Sequence, residues 1–245
     1  MTSTRHRITI GSWFQGPTGS GQGGWTAQRF AERLDGPATF AIKAPVPLDT
    51  ELTVVADDGG RRLLADQSGE KPAIVMIAEP WVPRFPTTAA VSIEDAAEAR
   101  ARFDSLVDEH PVPFCFSCGT QQDSMRVHAG PLDDDHHGRF ATDWRVPDWA
   151  ASDDGRLDEG ALWAALDCTA AWYVGYSRKP RLALTVQYAV EVLEPLEPGA
   201  TYALVGWSGD HDPDWDGRKR HGASAAFAAD GTCVARSVSF WIASV

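Results

Sequence analysis

A single acidic residue in an otherwise uncharged stretch is the first candidate for chemistry. From Gly160 to Ser177 the residues are small, apolar, aromatic or hydroxyl-bearing, with the exception of Asp167. This composition predicts a buried helix, in which an ionised carboxylate without a partner costs several kcal/mol or more. We therefore expect Asp167 either to serve a reaction or a ligand, or to be held by hydrogen bonds from loop N–H groups.

A glycine pair at the start of another predicted helix is the second candidate. Gln22, Gly23 and Gly24 precede "WTAQRFAERL" (25–34), whose apolar residues recur at helical spacing and end before the stop signal Asp35-Gly36-Pro37. Free N–H groups at a helix N-terminus favour developing negative charge. The pair thus predicts an oxyanion-binding turn. The alternative is a turn that needs glycine for its positive φ.

Two cysteines in "FCFSCG" (114–119) form a single C-x-x-C motif. Zinc sites normally have four ligands, and the sequence has no second C-x-x-C. A histidine could complete such a site, and the candidates are His110, His128, His136 and His137. We predict no metal and expect Cys115 and Cys118 to pack as small, reduced hydrophobic residues. Cys168 directly follows the acid, and we expect it to be an inert packing residue rather than a nucleophile.

The elements that must position these residues fall into two modules. Residues 1–88 hold a glycine-led helix followed by β-rich stretches, and residues 111–245 hold the apolar helix followed by further strands. Between them, residues 89–110 read as a charged helical linker with a capping box at Ser92. The shared order of helix, strand, Pro-Leu, strand, turn and strand indicates an internal repeat.

This pattern resembles the hotdog fold of acyl-CoA thioesterases, and two copies in one chain resemble the double hotdog. The residues resemble a motif of the PaaI-like and 4-hydroxybenzoyl-CoA thioesterase branches. There, the helix opens with a His-Gly-Gly-like turn, and an Asp or Glu follows seven residues after the second glycine. The resemblance implies an α+β fold with two helices, each wrapped by an antiparallel β-sheet.

The second helix keeps the acid of this motif. Asp167 stands seven residues after Gly160, as the family pattern requires, whereas Asp158 and Glu159 occupy the positions of the His and the first Gly. The resemblance therefore implies that this helix supplies a carboxylate but no intact amide turn.

The first helix keeps the turn. Gly23 and Gly24 match the glycine pair, Gln22 takes the histidine position, and Ala31 stands where the acid is expected. The resemblance thus implies one composite site, in which Asp167 faces the glycine amides. The pseudo-symmetric position, Ala31 against the start of the second helix, is expected to be inactive.

The activity that this resemblance implies is hydrolysis of an acyl thioester carried by coenzyme A or a carrier protein. The amides of Gly23 and Gly24 would polarise the carbonyl, Asp167 would act as general base or nucleophile, and Gln22 would orient the water or the carbonyl. A carboxylate in an apolar tunnel is poorly solvated, so we expect its pKa to be raised.

Contacts to the substrate are predicted from aromatic and basic residues. Tryptophans near the two helix starts are expected to line an acyl tunnel, with core packing as the alternative. The cluster "GRKRHG" (217–222) is expected to meet coenzyme A phosphates, with a plain charged loop or strand start as the alternative; Arg178, Lys179 and Arg181 are rival contacts. The predicted substrate-binding residues are Trp25, Trp163, Trp172, Arg178, Arg218, Lys219 and Arg220.

Composition limits the possible partners. The 245 residues are 43% hydrophobic and carry a net charge of −12, which is typical of a globular protein and speaks against nucleic-acid binding. The sequence shows no membrane-spanning run and no signal peptide, so we expect a cytoplasmic protein. Hotdogs usually pair through their sheets, and a double hotdog already contains one such pair; the resemblance therefore implies a monomer or a back-to-back dimer, of which we expect the homodimer. We expect no cofactor, with coenzyme A entering only as part of the substrate. The rival function is non-catalytic binding of acyl-CoA or lipid, and a third possibility is a purely structural assembly part.

Overall fold

The structure is a computed structural model that describes residues 6–81, 83–103, 110–132, 138–151, 155, 157–176, 181–211 and 217–244. Within these residues the chain forms three α-helices, which are α1 (Gly23–Ala31), α2 (Ile93–Phe103) and α3 (Glu159–Tyr176). The strands in chain order are β1 Arg7–Thr9, β2 Thr39–Ile42, β3 Glu51–Ala56, β4 Arg62–Asp66, β5 Ala73–Glu79, β6 Gly130–Pro131, β7 Phe140–Arg145, β8 Ala183–Val192, β9 Thr201–Trp207, β10 Lys219–Phe227 and β11 Cys233–Ala243.

These strands form one antiparallel sheet of 11 strands in the order β1-β3-β4-β5-β2-β8-β11-β10-β9-β7-β6. The order β3-β4-β5-β2 in the first half is repeated as β9-β10-β11-β8 in the second half. The halves meet where β2 pairs with β8, with Phe40 opposite Tyr188 and Ala41 opposite Gln187. The helices of the two halves are therefore brought side by side above one continuous sheet.

Helix α3 is buried on all sides. Only Glu159 and Ala171 among its residues escape burial, because the sheet encloses one face and α1 packs against another. A helix that is apolar all round belongs in such a doubly covered position. Helix α1 is amphipathic instead, and its Ala27 and Phe30 pack into the core of the first half. Helix α3 therefore forms the axis around which the site is built.

Helix α2, expected as a linker, packs on the opposite face of the second half of the sheet. Its Ala96 and Ala99 are buried against β7 and β9 residues such as Ala141 and Ala203. Ser92 caps the helix, since its Oγ accepts a bond from Asp95 N at 3.0 Å. The segment between the halves thus adds a second layer to the sheet, and the division into residues 1–88, 89–110 and 111–245 stays a prediction.

The expected α+β class and the two sheet-wrapped helices are both present. The sheets of the two halves are continuous with each other, and α2 is an additional helix. None of the helices in the described part of the chain is long and apolar enough to cross a membrane.

Candidate functional site

The candidate site lies where α1 and α3 cross, and Gln22 joins the two helices. Its Oε1 accepts a hydrogen bond from Trp25 N at 2.7 Å, which caps the start of α1. Its Nε2 donates to Asp167 Oδ2 at 2.6 Å. One buried amide side chain therefore fixes both the helix N-terminus and the carboxylate across the seam.

The Asp167 carboxylate accepts hydrogen bonds from three directions. Oδ2 accepts from Gln22 Nε2 and from Gly24 N, the latter at 3.2 Å, and Oδ1 accepts from Thr185 Oγ1 of β8 at 2.8 Å. The side chain is only 4% exposed. These bonds offset part of the cost of removing the group from water, and they leave Oδ1 with a single partner.

Burial raises the pKa of Asp167 to about 7, although the hydrogen bonds from Thr185, Gly24 and Gln22 act in the opposite direction. Desolvation disfavours the charged form, whereas donated hydrogen bonds favour it. The raised pKa that the sequence predicted is therefore present, and desolvation is its main cause.

The two glycines of the α1 turn serve different purposes. A Cβ on Gly24 would lie 2.5 Å from the carbonyl oxygen of Trp163, so only glycine lets α1 approach α3 this closely. The N–H of Gly24 is taken by Asp167, which corrects its expected role in polarising the carbonyl. Gly23 faces the adjacent cavity, and no acceptor among the described residues takes its N–H. Neither glycine has a positive φ, so the alternative explanation from turn geometry is wrong.

A cavity of about 350 Å³ opens beside this turn. Gln22, Gly23, Asp167 and Thr185 form its polar wall. Most of the remaining lining is apolar, and it includes Ile42, Ala44, Val46, Leu184, Val186 and Trp241. Lys43, exposed just after β2, is the one lining residue of the described chain with a cationic side chain. Lys43 and Trp241 were not predicted from the sequence, because neither belongs to a motif.

Three cysteines line the same cavity. The Sγ atoms of Cys115, Cys118 and Cys168 all lie within 4.8 Å of one another, and Cys115 Sγ is 3.8 Å from Cys168 Sγ. Hydrogen bonds from Cys118 and Cys168 hold the pKa of the Cys115 thiol well below its usual range, and donation to that sulfur raises the pKa of both donors. The partner that the C-x-x-C motif meets is therefore Cys168 and not one of the histidines expected from the sequence.

The histidines considered as metal ligands bond to the C-x-x-C turn instead. His110 Nδ1 accepts from Val112 N at 3.0 Å, so its Nε2 donates to Cys118 O at 2.7 Å. His128 Nε2 lies 3.1 Å from Gly119 O. Burial lowers the pKa of both histidines. His136 and His137 lie outside the described residues.

The three predicted tryptophans do not line the cavity but pack in the core. Trp25 stacks on Phe14 with ring centroids 3.8 Å apart. Trp163 packs edge-on against Phe40 and Tyr188. Trp172 donates its Nε1–H to Val127 O at 3.0 Å. The expectation that they form an acyl tunnel is therefore corrected, and the alternative of core packing holds.

The predicted basic contacts also lie away from the cavity wall. Arg220 is buried and donates to Val174 O near the end of α3, and Arg218 Nε donates to Ala243 O at 3.3 Å. Lys219 is exposed at the start of β10. Arg220 is thereby committed to the end of α3, which corrects its expected role in phosphate binding, whereas for the exposed Arg218 and Lys219 that role stays a prediction. Arg178, with the rival Lys179, lies outside the described residues.

The pseudo-symmetric position carries an ion pair on the wall of a second cavity, of about 910 Å³. Asp158 Oδ1 accepts from Gly160 N at 2.8 Å at the start of α3, and Arg29 of α1 forms an ion pair with Asp158. A Cβ on Gly160 would lie 2.7 Å from the ring of Trp25. Glu32, one residue after Ala31, lines this cavity and pairs with Arg29 at 3.2 Å, so the carboxylates here face a cation and the two ends of the helix pair differ in chemistry.

Comparison with known protein structures identifies the fold. No protein-family model matches the sequence, and no curated protein matches it either. Among solved structures, a conserved protein of unknown function with hot dog fold from Alicyclobacillus acidocaldarius is 14% identical, with a TM-score of 0.59 over 100% of this chain and 95% of that one. The tesB protein of Mycobacterium avium subs paratuberculosis is 15% identical, with a TM-score of 0.57 over 98% and 93% of the two chains. At these identities the likeness concerns the fold, and the chain is a double hotdog protein, as the resemblance of its sequence to the hotdog thioesterase superfamily implied.

Proposed function

We propose that the chain hydrolyses an acyl thioester, with coenzyme A as the carrier, in the cavity between the α1 turn and Asp167. The observation that carries this proposal is the hydrogen bond of 3.2 Å from Gly24 N to Asp167 Oδ2, next to the N–H of Gly23 on the same cavity wall. A carboxylate and an amide donor on one apolar cavity are the two groups that acyl transfer to water requires.

The proposed reaction uses two hydrogen-bonding groups of the site, the N–H of Gly23 and the Oδ1 atom of Asp167. The carbonyl oxygen of the thioester accepts from Gly23 N–H, where the N-terminus of α1 stabilises the developing oxyanion. Oδ1 of Asp167 has only Thr185 as a partner and accepts a proton from the attacking water. The new C–O bond forms, the C–S bond breaks, and the thiolate leaves with that proton, giving a carboxylic acid and a thiol. Gln22 and Gly24 hold the carboxylate in place meanwhile.

The size of the cavity limits the acyl group. Ligand pockets typically range over roughly 300–1,000 Å³, and the cavity of about 350 Å³ lies at the lower end of that range. The proposal therefore favours a short acyl chain or a single ring over a long acyl chain. Lys43 at the exposed edge of the cavity is the proposed contact for an anionic carrier.

One observation favours the rival function, non-catalytic binding of an acyl-CoA or lipid. Asp167 is already bonded to Gln22, Gly24 and Thr185, so the carboxylate has a complete structural role without a reaction. The same apolar cavity would then bind a ligand without cleaving it. The homodimer and the cytoplasmic location also stay predictions from the sequence.

The decisive experiment measures thiol release from acyl-CoAs of graded acyl size, with Asp167→Asn as the test variant. General-base catalysis contributes about 10²- to 10⁴-fold, so we expect kcat to fall by at least about 100-fold. Asp158→Asn is the matched control, because it makes the same change at the pseudo-symmetric position, and it should leave kcat unchanged. Saturable binding without thiol release by the unmodified chain would establish the rival function. If Asp167→Asn releases thiol as fast as the unmodified chain, Asp167 takes no part in the mechanism.

A further inference from the structure

The three buried sulfur atoms on the cavity wall are not used by the proposed hydrolysis. Cys115 and Cys118 come from the loop before β6, and Cys168 comes from the middle of α3. All three are at least nine-tenths buried and line one cavity. We propose that Cys115, Cys118 and Cys168 together bind one Zn²⁺ ion, with the fourth coordination position directed into the cavity.

The spacing of the sulfur atoms matches a tetrahedral ion. A Zn–S bond is about 2.3 Å, which places two thiolates of one tetrahedral site about 3.8 Å apart. Cys115 Sγ and Cys168 Sγ are 3.8 Å apart, and each remaining pair lies within 4.8 Å. Side-chain adjustments of about 1 Å or less complete the triangle. Three protein ligands with one open position is the arrangement of zinc sites that admit a further ligand.

The C-x-x-C turn is built to present its sulfur atoms. The backbone of the turn is held by its own hydrogen bonds, from Cys115 N to Val112 O at 3.0 Å and from Gly119 N to Cys115 O at 2.7 Å. Gly119 closes the turn, because a Cβ there would lie 2.3 Å from Cys115 O. From the other side, His110 bonds to the carbonyl oxygen of Cys118. The turn is therefore fixed by bonds that leave both sulfur atoms facing α3.

A disulfide explains this cluster less well than a metal. A disulfide bond is about 2.05 Å long and joins two sulfur atoms, so it leaves the third converging cysteine without a role. A zinc ion uses all three, and thiolates are the ligands that thiophilic metals select. A bound metal explains why Cys168 lies beside a motif some 50 residues earlier in the chain.

The test titrates the full-length, reduced chain, stripped of metal by a chelator, with Co²⁺ as a coloured substitute for Zn²⁺. We expect one equivalent to bind, with visible absorption of tetrahedral Co²⁺ and a sulfur-to-cobalt charge-transfer band, and we expect Zn²⁺ to displace it. Cys118→Ser and Cys168→Ser should each lose most of the charge-transfer band. Cys233→Ser is the matched control, because Cys233 lies in β11 outside the cluster, and it should keep the full band.

The proposal of a metal site and the proposal of thioester hydrolysis are tested by independent measurements. Asp167→Asn should abolish thiol release yet bind Co²⁺ normally, because Asp167 is not one of the three ligands. Near-ultraviolet circular dichroism of each cysteine variant shows whether the fold survives, and the unmodified chain tests the proposal in any case. The proposal is overturned if the reduced, unmodified chain binds neither Co²⁺ nor Zn²⁺, or if a folded Cys168→Ser variant keeps the full charge-transfer band.

Discussion

The crossing of α1 and α3 at Gly24 predicts a large effect from a single methyl group. In Gly24→Ala the new Cβ would lie 2.5 Å from Trp163 O and 3.0 Å from Asp167 Cβ. The first of these atoms is backbone and cannot rotate away, so the helices must separate by about half an ångström. Overpacking of this kind costs about 1–3 kcal/mol, which outweighs the gain of at most about 1 kcal/mol from replacing glycine in a helix.

The same separation weakens the candidate site. The bond from Gly24 N to Asp167 Oδ2 is already 3.2 Å long, and half an ångström more takes it beyond hydrogen-bonding distance. We therefore expect Gly24→Ala to lower both the free energy of unfolding and the rate of thioester hydrolysis. Urea denaturation followed by tryptophan fluorescence measures the first effect, and thiol release measures the second.

Gly23→Ala is the matched control, one residue earlier in the same turn. Its Cβ would meet Ile42 Cδ1 at 3.0 Å, the mobile end of a side chain, and Asp167 Oδ2 at 3.4 Å. We expect its free energy of unfolding to stay within about 0.5 kcal/mol of the unmodified protein, as for substitutions that meet no rigid neighbour. Equal stability of the Gly24→Ala variant and the unmodified protein, or equal losses in both glycine variants, would refute this account of the helix crossing.

Two further predictions concern the polar wall and the edge of the cavity. Thr185→Val removes the hydroxyl that donates to Asp167 Oδ1 at 2.8 Å, so kcat for thioester hydrolysis should fall while the free energy of unfolding drops by about 0.5–1.5 kcal/mol. Thr169→Val changes a buried threonine of α3 and should leave kcat unchanged, and an equal fall of kcat in both variants would contradict a specific role for Thr185. Lys43→Met should raise KM for a coenzyme A thioester but not for a thioester of a small neutral thiol. Lys219→Met should leave KM unchanged for both thioesters. An unchanged KM for the coenzyme A thioester in Lys43→Met would exclude Lys43 as the carrier contact.

The pairing of the acid with the glycine turn was accessible from the sequence because both positions are fixed by local periodicity. The step from Gly160 to Asp167 sets the side of α3 that carries the acid, and Gly23 and Gly24 mark the start of α1. The resemblance to a two-copy fold then supplied the one long-range relation that was needed. The structure places the carboxylate of Asp167 against that turn.

Trp163 and Trp172 could not be placed in the same way, because α3 has no polar face. A helix that is buried all round gives no periodic signal that separates its cavity side from its core side. Asp167, Cys168 and Ala171 share the cavity side, whereas Trp163 lies one turn earlier and meets the first-half core. Trp172 points towards the α2 side of the protein, where it packs against Phe103.

The sulfur cluster was missed for a different reason. Its two parts are separated by some 50 residues and lie on a loop and a helix, so no spacing rule connects Cys115 with Cys168. In the sequence, Cys168 stands out only because it directly follows Asp167, and no pattern marks it as a metal ligand. That adjacency was the available signal, since a helix that directs residue 167 towards the cavity directs residue 168 close to it.

The difference between the two ends of the helix pair follows from having both halves in one chain. In a symmetric dimer of single units, any substitution changes both crossings at once. Here one crossing combines Gln22 of α1 with Asp167 of α3, and it opens on an apolar cavity. The other combines Arg29 of α1 with Asp158 of α3 as an ion pair. Among the described residues, the carboxylate of Asp167 is held only by neutral donors, whereas the carboxylate of Asp158 is paired with Arg29. The chemistry of the protein should therefore reside at one crossing and structural pairing at the other.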